Sequence, residues 1–425
     1  MKRYETYKDS GIEWLGDIPE HWKVCRTKNI VSLINDRASN PTLKKVALEN
    51  IESATGRFIE TDSVFEGEGI EFHEDDILFG KLRPYLAKVY KADFEGQSVG
   101  DIYVFRAKDG YVPDFLKYLF ISDMFISVVD GSTYGAKMPR ANWDFISDLR
   151  LALPDIEEQK QIANYLDSKV GQIDDLISAK ERLVEDLQLY STSVISETVT
   201  RGLHPDVEMN ESGVEWLGKI PSSWKVTKVA WLFYDIGSGT TPNTNNSDYY
   251  TANGINWLQT GDLTDGEIHS TSKTVTSKAV EECNMRVYPH QSVVIAMYGA
   301  TIAKLGFLQI ETTTNQACCV IPPTIGMESK FVFYAFYASK TILINKSYGG
   351  GQPNISQALI KEHKLPVPPL SEQQEIADYL DEKTAKIDAS IKELKTQIED
   401  LRKYKTSIIN EAVTGKIDLR DWKLN

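Results

Sequence analysis

Five short loops combine glycine with side chains whose chemistry suits the recognition of DNA bases. They are 80–85 and 134–140 in the first half of the chain, and 237–243, 298–301 and 348–352 in the second. Arg and Lys bind guanine edges, Asn and Gln bind adenine, and Thr can contact the thymine methyl group. Glycine allows a close approach of the backbone to a partner. Each loop alone could equally be a polar turn, but their presence in both halves favours recognition.

The candidate DNA-contacting residues are the polar, cationic and aromatic side chains of these loops, together with one glycine of the last loop. In the first half they are Lys81, Arg83, Tyr85, Lys137 and Arg140. In the second half they are Ser238, Thr240, Thr241, Asn243, Tyr298, Thr301, Gly350 and Gln352.

No motif in the sequence supports catalysis. The segment Phe65–Gly69 fits an F-x-G-x-G element for S-adenosylmethionine, but an acidic stretch follows it rather than a helix, so a surface turn is predicted. A phosphate-binding G-x-x-x-x-G-K-[ST] loop is absent, and the six histidines form no i, i+4 pair. Glu158–Lys160 could end a nuclease carboxylate set, but its position at a repeated helix start predicts a solvated face. We therefore expect no catalytic centre, metal or cofactor.

Charge and cysteine usage narrow the class of protein. The net charge is −14, so DNA binding would need local cationic patches or a partner that neutralises phosphates. The cysteines, at 25, 283, 318 and 319, form neither a disulfide framework nor a metal-ligand spacing, which fits a reducing cytoplasm. Without a run of about 18 apolar residues or an apolar leader, we expect no membrane association.

The candidate loops are positioned by a repeated element. Residues 154–200 return as 368–414 at a constant offset of 214, with 22 of 47 positions identical. Apolar steps of 3, 4 and 7 predict a long helix with a narrow seam. Asp155 and Ser371 could begin capping boxes, and Gly202 and Gly415 mark the ends. About 44 residues would span roughly 65 Å, and we expect the two helices to pack as an antiparallel coiled coil. Seam residues proposed for the spacer or for subunit contact are Ile173, Leu187, Tyr190, Ile387, Leu401 and Tyr404.

The chain is therefore predicted as two tandem units of mixed α/β (α+β) class. A Trp-containing segment at 10–19 returns at 212–221, and Trp14 and Trp216 are expected to anchor it. Alternating apolar runs predict strands, and single short helices are expected at 114–128 and near 330–343. The expected domains are 1–153 and 204–366 for the bodies, with helices and tail at 154–203 and 367–425.

These motifs resemble the specificity (S) subunit of type I restriction-modification systems. The resemblance covers nearly the whole chain and rests on 153–159 and 365–373 before the helices, the two Glu-Trp-Leu-Gly-x-Ile-Pro openings, and the body motifs 76–85, 298–301, 314–317 and 351–356. It adds Asn315 and Gln316 to the DNA-contacting candidates. The segment 137–140 departs from the motif of the second body, so its DNA loop is expected to differ.

The resemblance implies two target recognition domains, each binding one half of a split sequence in double-stranded DNA. It also implies that the helices set the spacing and carry two methyltransferase (M) subunits, while restriction (R) subunits cleave DNA. The protein itself would not be an enzyme. Three alternatives stay open: a stand-alone DNA-binding adaptor, a coiled-coil scaffold without methyltransferase partners, and a self-sufficient methyltransferase based on Phe65–Gly69.

Overall fold

A computed structural model of the chain describes residues 2–62, 65, 67–133, 138–347 and 354–423. Its contacts divide it into two compact units, Met1–Arg182 with Leu394–Asn425, and Leu183–Glu393. Each unit combines a mixed α/β body with parts of two long helices, as the repeat predicted.

The body of the first unit is built on a four-stranded antiparallel sheet in the order β4-β10-β7-β8, beside a three-stranded sheet β5-β9-β6. The strands are β1 (Tyr7–Asp9), β2 (Asp17–Pro19), β3 (Lys23–Arg26), β4 (Val31–Ile34), β5 (Lys44–Val46), β6 (Ile70–Phe72), β7 (Ile77–Gly80), β8 (Val89–Lys91), β9 (Gly96–Ser98), β10 (Ile102–Ala107) and β11 (Arg150–Leu153). The helices are α1 (Thr27–Ile30), α2 (Pro113–Ile121), α3 (Asp123–Gly131), α4 (Trp143–Asp148) and the long α5 (Ile156–Arg201).

The body of the second unit is built on a five-stranded sheet in the order β15-β23-β20-β21-β18, beside a four-stranded sheet β16-β19-β17-β22. The strands are β12 (Met209–Glu211), β13 (Lys219–Pro221), β14 (Lys225–Lys228), β15 (Gly237–Ser238), β16 (Tyr250–Thr251), β17 (Ile255–Leu258), β18 (Gly266–Ile268), β19 (Thr274–Val275), β20 (Val293–Ala296), β21 (Leu305–Leu308), β22 (Thr313–Thr314), β23 (Cys318–Ile321) and β24 (Lys364–Val367). The helices are α6 (Val229–Leu232), α7 (Ser277–Glu282), α8 (Ser329–Ala338), α9 (Lys340–Asn345), α10 (Gln357–Glu362) and the long α11 (Leu370–Val413).

The two long helices pack antiparallel within each unit, as predicted. In the first unit, Ile173 near the start of α5 shares a buried core with Ile398 and Ile408 from the later part of α11. In the second unit, Ile195 near the end of α5 shares a core with Ile376 from the start of α11. The apolar repeat specifies this pairing because each helix alone would leave its seam in water.

Two of the predicted seam residues lie outside the seam. Tyr190 and Tyr404 are 49% and 48% exposed, so their assignment to the buried seam was wrong. Ile173 and Ile387 are buried, and Leu187 and Leu401 are partly buried, as a seam requires. A tyrosine at the edge of a narrow seam can cover apolar surface with its ring while its hydroxyl stays in water.

A buried glutamine fixes the start of each long helix to its body. Gln159 and Gln373 are each 1% exposed. The side-chain oxygen of Gln159 accepts a hydrogen bond from the backbone N–H of Val112 at 2.9 Å, and that of Gln373 accepts one from Glu328 at 2.8 Å. Each side-chain amide also donates to the carbonyl of the proline five residues earlier. The identical contacts explain why the repeat retains glutamine here, since losing one would leave buried polar groups unpaired.

The predicted solvated face at Glu158–Lys160 was wrong for its first two residues. Glu158 is buried and accepts hydrogen bonds from the hydroxyl of Tyr4 at 2.5 Å and from the indole N–H of Trp22 at 3.3 Å. Its counterpart in the second unit, Glu372, accepts one from Trp224 at 3.0 Å. Trp22 and Trp224, which follow the repeated segments 10–19 and 212–221, are thus buried, whereas Trp14 and Trp216 within those segments are partly buried.

Helix boundaries follow the sequence signals in part. The Oδ1 atom of Asp155 accepts from the backbone N–H groups at positions 157 and 158, as an N-cap should. Ser371 lies inside α11, so its predicted capping box was wrong. The single helices expected at 114–128 and 330–343 are each two helices, separated at Ser122 and Ser339, whose hydroxyls donate to carbonyls of the preceding turn.

A histidine is buried in the second body. His363 lies between the rings of Trp216 and Phe336, and its Nε2 is 2.9 Å from the hydroxyl of Ser339. Burial lowers the pKa of His363 to about 4 because the charged imidazole would lose its hydration. The pKa of this histidine in the unfolded chain is near 6.5. Between pH 6.5 and about 4, His363 is therefore protonated in the unfolded chain and neutral in the folded chain.

We expect the stability of the second unit to fall as pH drops from about 6.5 towards 4. The His363 contribution is fully present above pH 6.5, and by pH 4.5 about 2–3 kcal/mol of it should be lost. The repeat offers a matched control, because the equivalent position in the first unit is Leu149. Thermal unfolding of the parent and of the His363→Leu variant should be measured at several pH values. The difference between their unfolding temperatures should change with pH, and a constant difference would contradict this prediction.

Candidate nucleic-acid interface

In the first unit, three strands bring separate loops to one edge of the sheet. Gly80, the last residue of β7, pairs with Ile102, the first described residue of β10. Val104 of β10 pairs with Ile34, the last residue of β4. Because neighbouring strands are antiparallel, the loops that follow β4 and β7 and the turn that precedes β10 leave the sheet at the same edge.

The loop 80–85 lies beside the described end of the loop 134–140 at that edge. Leu82 forms an isolated bridge with Arg140. The backbone N–H of Arg83 donates to the carbonyl of Pro139 at 2.8 Å, and that of Ala141 donates to the carbonyl of Lys81 at 2.8 Å. Lys81, Arg83, Tyr85 and Arg140 are therefore brought together by backbone pairing, whereas Lys137 lies outside the described residues.

An aspartate and a tyrosine orient the cations of this edge. Asp101 accepts a hydrogen bond from the guanidinium of Arg140 at 3.0 Å and lies 3.9 Å from the Nζ atom of Lys81. The same Nζ lies 5.3 Å from the centre of the Tyr103 ring, and burial raises the pKa of Tyr103. A guanidinium held at one side by a carboxylate keeps further N–H groups for a planar acceptor.

The edge also exposes an aromatic side chain and a cation on a constrained backbone. Tyr85 is about half exposed. Arg83 is exposed and has a left-handed backbone with φ of 51°, which is uncommon for a residue with a Cβ atom. Such constrained residues concentrate where a side chain must point in one direction. Both side chains are therefore accessible to a partner, as is that of Arg140.

In the second unit, the candidate loops that the structure describes, 237–243 and 298–301, also meet at one sheet edge. Ser238, the last residue of β15, pairs with Cys319, and Ala296, the last residue of β20, pairs with Cys318. The residues after β15, those after β20 and those before β23 therefore leave the sheet together. This arrangement corresponds to the edge formed by β4, β7 and β10 in the first unit.

Backbone contact between two of these loops requires a glycine. A Cβ atom at Gly239 would lie 1.8 Å from the carbonyl oxygen of Thr314, so no other residue fits there. The backbone N–H of Thr240 donates to the same carbonyl at 2.9 Å, and the hydroxyl of Thr241 donates to the side chain of Gln316. Asn315 accepts a hydrogen bond from Ala317 within its own turn.

The remaining candidates of the second unit occupy the same region or lie outside the described residues. The backbone N–H of Met297 donates to the carbonyl of Ala317 at 2.8 Å, which places the loop of Tyr298 and Thr301 beside Asn315 and Gln316. Ser238, Asn243 and Tyr298 are exposed, and the Oδ1 atom of Asn243 accepts from Asn245. Gly350 and Gln352 fall outside the described residues.

Sequence reasoning missed one cation of the first edge. Arg37 follows β4, as the loop 239–243 follows β15 in the second unit, and its side chain is 80% exposed and 3.1 Å from Glu68. The bodies have diverged too far for a single sequence to reveal this correspondence, because the signal is the shared strand order rather than shared residues.

The described part of the chain holds no group of three or more His, Cys, Asp or Glu side chains arranged to bind a metal ion. Gly69, at the end of the F-x-G-x-G segment, leads into strand β6 rather than into a helix. Nor is any helix of the described residues long and apolar enough to cross a membrane.

Fold and site together define a protein of two α/β bodies, each with loops gathered at one sheet edge and joined to a repeated long helix. Residues 221–400 match the family model of the type I restriction modification DNA specificity domain. Over 442 residues and 95% of both chains, the protein is 23% identical to the type I restriction enzyme MjaVIII specificity subunit of Methanocaldococcus jannaschii.

A second relative, the MjaIX specificity subunit of the same organism, is 31% identical over 169 residues, which are 39% of this chain and 38% of the relative. A solved structure described as the structural basis of complex assembly and conformational transition of the type I R-M system has the same fold, with a TM-score of 0.77 and 19% identity over 94% of this chain and 99% of that chain. The chain is thus similar in sequence to the specificity subunits of type I restriction-modification systems, and it shares its fold with a solved structure from such a system.

Proposed function

We propose that this chain is the DNA-recognising subunit of a type I restriction-modification complex. Each body, at 1–153 and 204–366, binds one half of a bipartite target in the major groove. The observation that carries this proposal is the convergence of polar and cationic loops at the same sheet edge of both bodies. Two recognition edges repeated within one chain suit a target of two separated half-sites.

The chemistry of the two edges differs, and we infer different half-sites from it. The first edge offers Arg83 and Arg140, whose planar guanidinium groups suit the O6 and N7 atoms of guanine. The second offers Thr241, Asn243 and Gln316, which suit adenine and the thymine methyl group. The first half-site should therefore contain guanine, and the second should be richer in A·T pairs.

Partner subunits supply the catalytic steps and part of the contact with the DNA phosphates. The net charge of −14 on this chain is unfavourable for binding a phosphate backbone alone. We therefore assign a share of phosphate contact, methyl transfer and cleavage to two methyltransferase subunits and to restriction subunits, and we assign no catalytic step to this chain. The half-exposed Tyr190 and Tyr404 occupy matched positions on the two helices, which suits a platform for two copies of one partner.

The proposal is tested by expressing the chain with the methyltransferase subunits of its own host and sequencing the DNA for methylated positions. We expect one split motif with a fixed gap, and no such motif when this chain is omitted. Methyl transfer by the purified chain alone would instead establish a self-sufficient methyltransferase. If the chain binds duplex DNA but does not co-purify with a methyltransferase, it is a stand-alone DNA-binding adaptor. If the assembled complex shifts no duplex, the chain is a coiled-coil scaffold.

A further inference from the structure

One matched pair of tyrosines differs between the two units. Tyr165 and Tyr379 stand at equivalent positions of the repeat, one near the start of each long helix. Tyr165 is 3% exposed, whereas Tyr379 is 38% exposed. Since the helices around them are alike, the difference arises from what covers each tyrosine.

In the first unit, the C-terminal tail of the chain covers Tyr165. The ring of Trp422 packs edge-on against Tyr165 with 5.3 Å between ring centres, and the side-chain amide of Gln161 donates to the carbonyl of Trp422. The tail is tied down before this point, because the backbone N–H of Asp418 donates to the carbonyl of Lys2 at 2.9 Å. A tryptophan is therefore the side chain that this helix surface accepts.

In the second unit, the corresponding surface is an open cavity of about 710 Å³. Tyr379 and Tyr190 line it, and Val194 lines it where the equivalent residue of the first unit, Ile408, is buried. The chain that leaves α5 here, residues 203–209, contains no tryptophan, tyrosine or phenylalanine to cover it. The cavity thus presents two partly exposed tyrosines where the first unit buries one beneath a tryptophan.

We propose that this cavity is a docking site for a tryptophan-bearing segment of a partner protein. The equivalent surface of the first unit supports this occupant, because Trp422 covers Tyr165 there. The cations of the lining do not select a charged occupant, since Arg201, His204 and Lys219 each already lie within 4.0 Å of a carboxylate. A second copy of this chain is a poor occupant because its own tail is held in its first unit. This inference does not depend on the proposed function.

The test uses the intact chain and a synthetic peptide of residues 414–423, which contains Trp422. Titration calorimetry should show saturable binding of one peptide per chain. The same peptide with Trp422→Ala should bind roughly tenfold more weakly or not at all, because a buried aromatic anchor carries much of such an affinity. Tyr379→Ala in the intact chain should weaken binding of the unaltered peptide by a similar factor.

The repeat supplies the control that distinguishes the two units. Tyr404→Ala removes the equivalent of Tyr190 from the first unit and should leave peptide binding unchanged. A photoreactive residue in place of Lys423 of the peptide, which keeps Trp422, should cross-link to residues 190–209 or 379. Absence of binding, indifference to Tyr379→Ala, or cross-links around Tyr165, which would mean that the peptide displaces the chain's own tail, would each overturn the proposal.

Discussion

Replacing both arginines of the first recognition edge, in the variant Arg83→Ala with Arg140→Ala, should abolish selection of the first half-site. Each well-placed guanidinium is worth about 1–3 kcal/mol of discrimination against a wrong base. Their joint loss should reduce the preference for the correct first half-site by roughly two orders of magnitude. The measurement is competition binding of the assembled complex to duplexes altered in one half-site at a time.

The pattern of affinities across the altered duplexes distinguishes arginines that contact bases from arginines that contact phosphates. Selection at the second half-site should be retained, because its loops belong to the other unit. Arg150→Ala removes an exposed cation at the start of β11 and serves as the control, with little change expected in either preference. Equal weakening on every duplex, with discrimination intact, would show that the two arginines contact phosphates only.

Removing one heptad from each long helix should change the gap between the half-sites and leave their sequences unchanged. The matched segments are 180–186 and 394–400, at the offset of the repeat, so antiparallel packing is preserved. Seven residues shorten a helix by about 10 Å, equivalent to about 3 base pairs of duplex. Sequencing of methylated positions in cells that carry the variant should therefore show the same half-sites at a shorter gap.

The outcome depends on whether the helices determine the spacing. Removing the seven residues from α5 alone should disrupt packing and abolish methylation, since the seams would no longer match. A changed base within a half-site, or an unchanged gap in the doubly shortened variant, would contradict the role of the helices as the spacer.

The local sequence pattern was sufficient to predict the elements that are defined by residues close together in the chain or by the internal repeat. The apolar steps of 3, 4 and 7 identified both long helices, and Gly202 and Gly415, with φ of 75° and 72°, follow their ends as predicted. The spacing of apolar residues predicts a long helix reliably because many residues on one face contribute to the pattern.

Local pattern failed where burial was decided by distant parts of the chain. Glu158 and Gln159 have the composition of a solvated turn, but their partners are Tyr4, Trp22 and Val112, which no local window includes. Tyr190 has the spacing of a seam residue, but whether a tyrosine at a seam edge is covered depends on which segment passes over it. For the same reason, the sequence does not predict that Tyr165 is buried and Tyr379 is partly exposed.

The sequence by itself determined that this protein is a doubled chain, with two bodies, two long helices and glycine-containing polar loops in each half. Tertiary structure alone decided which of those loops lie together. Residues as distant as Lys81 and Arg140, or Gly239 and Thr314, meet because antiparallel pairing of strands far apart in sequence brings their ends to one edge. Such register depends on the packing of the whole body, and no short stretch of residues encodes it.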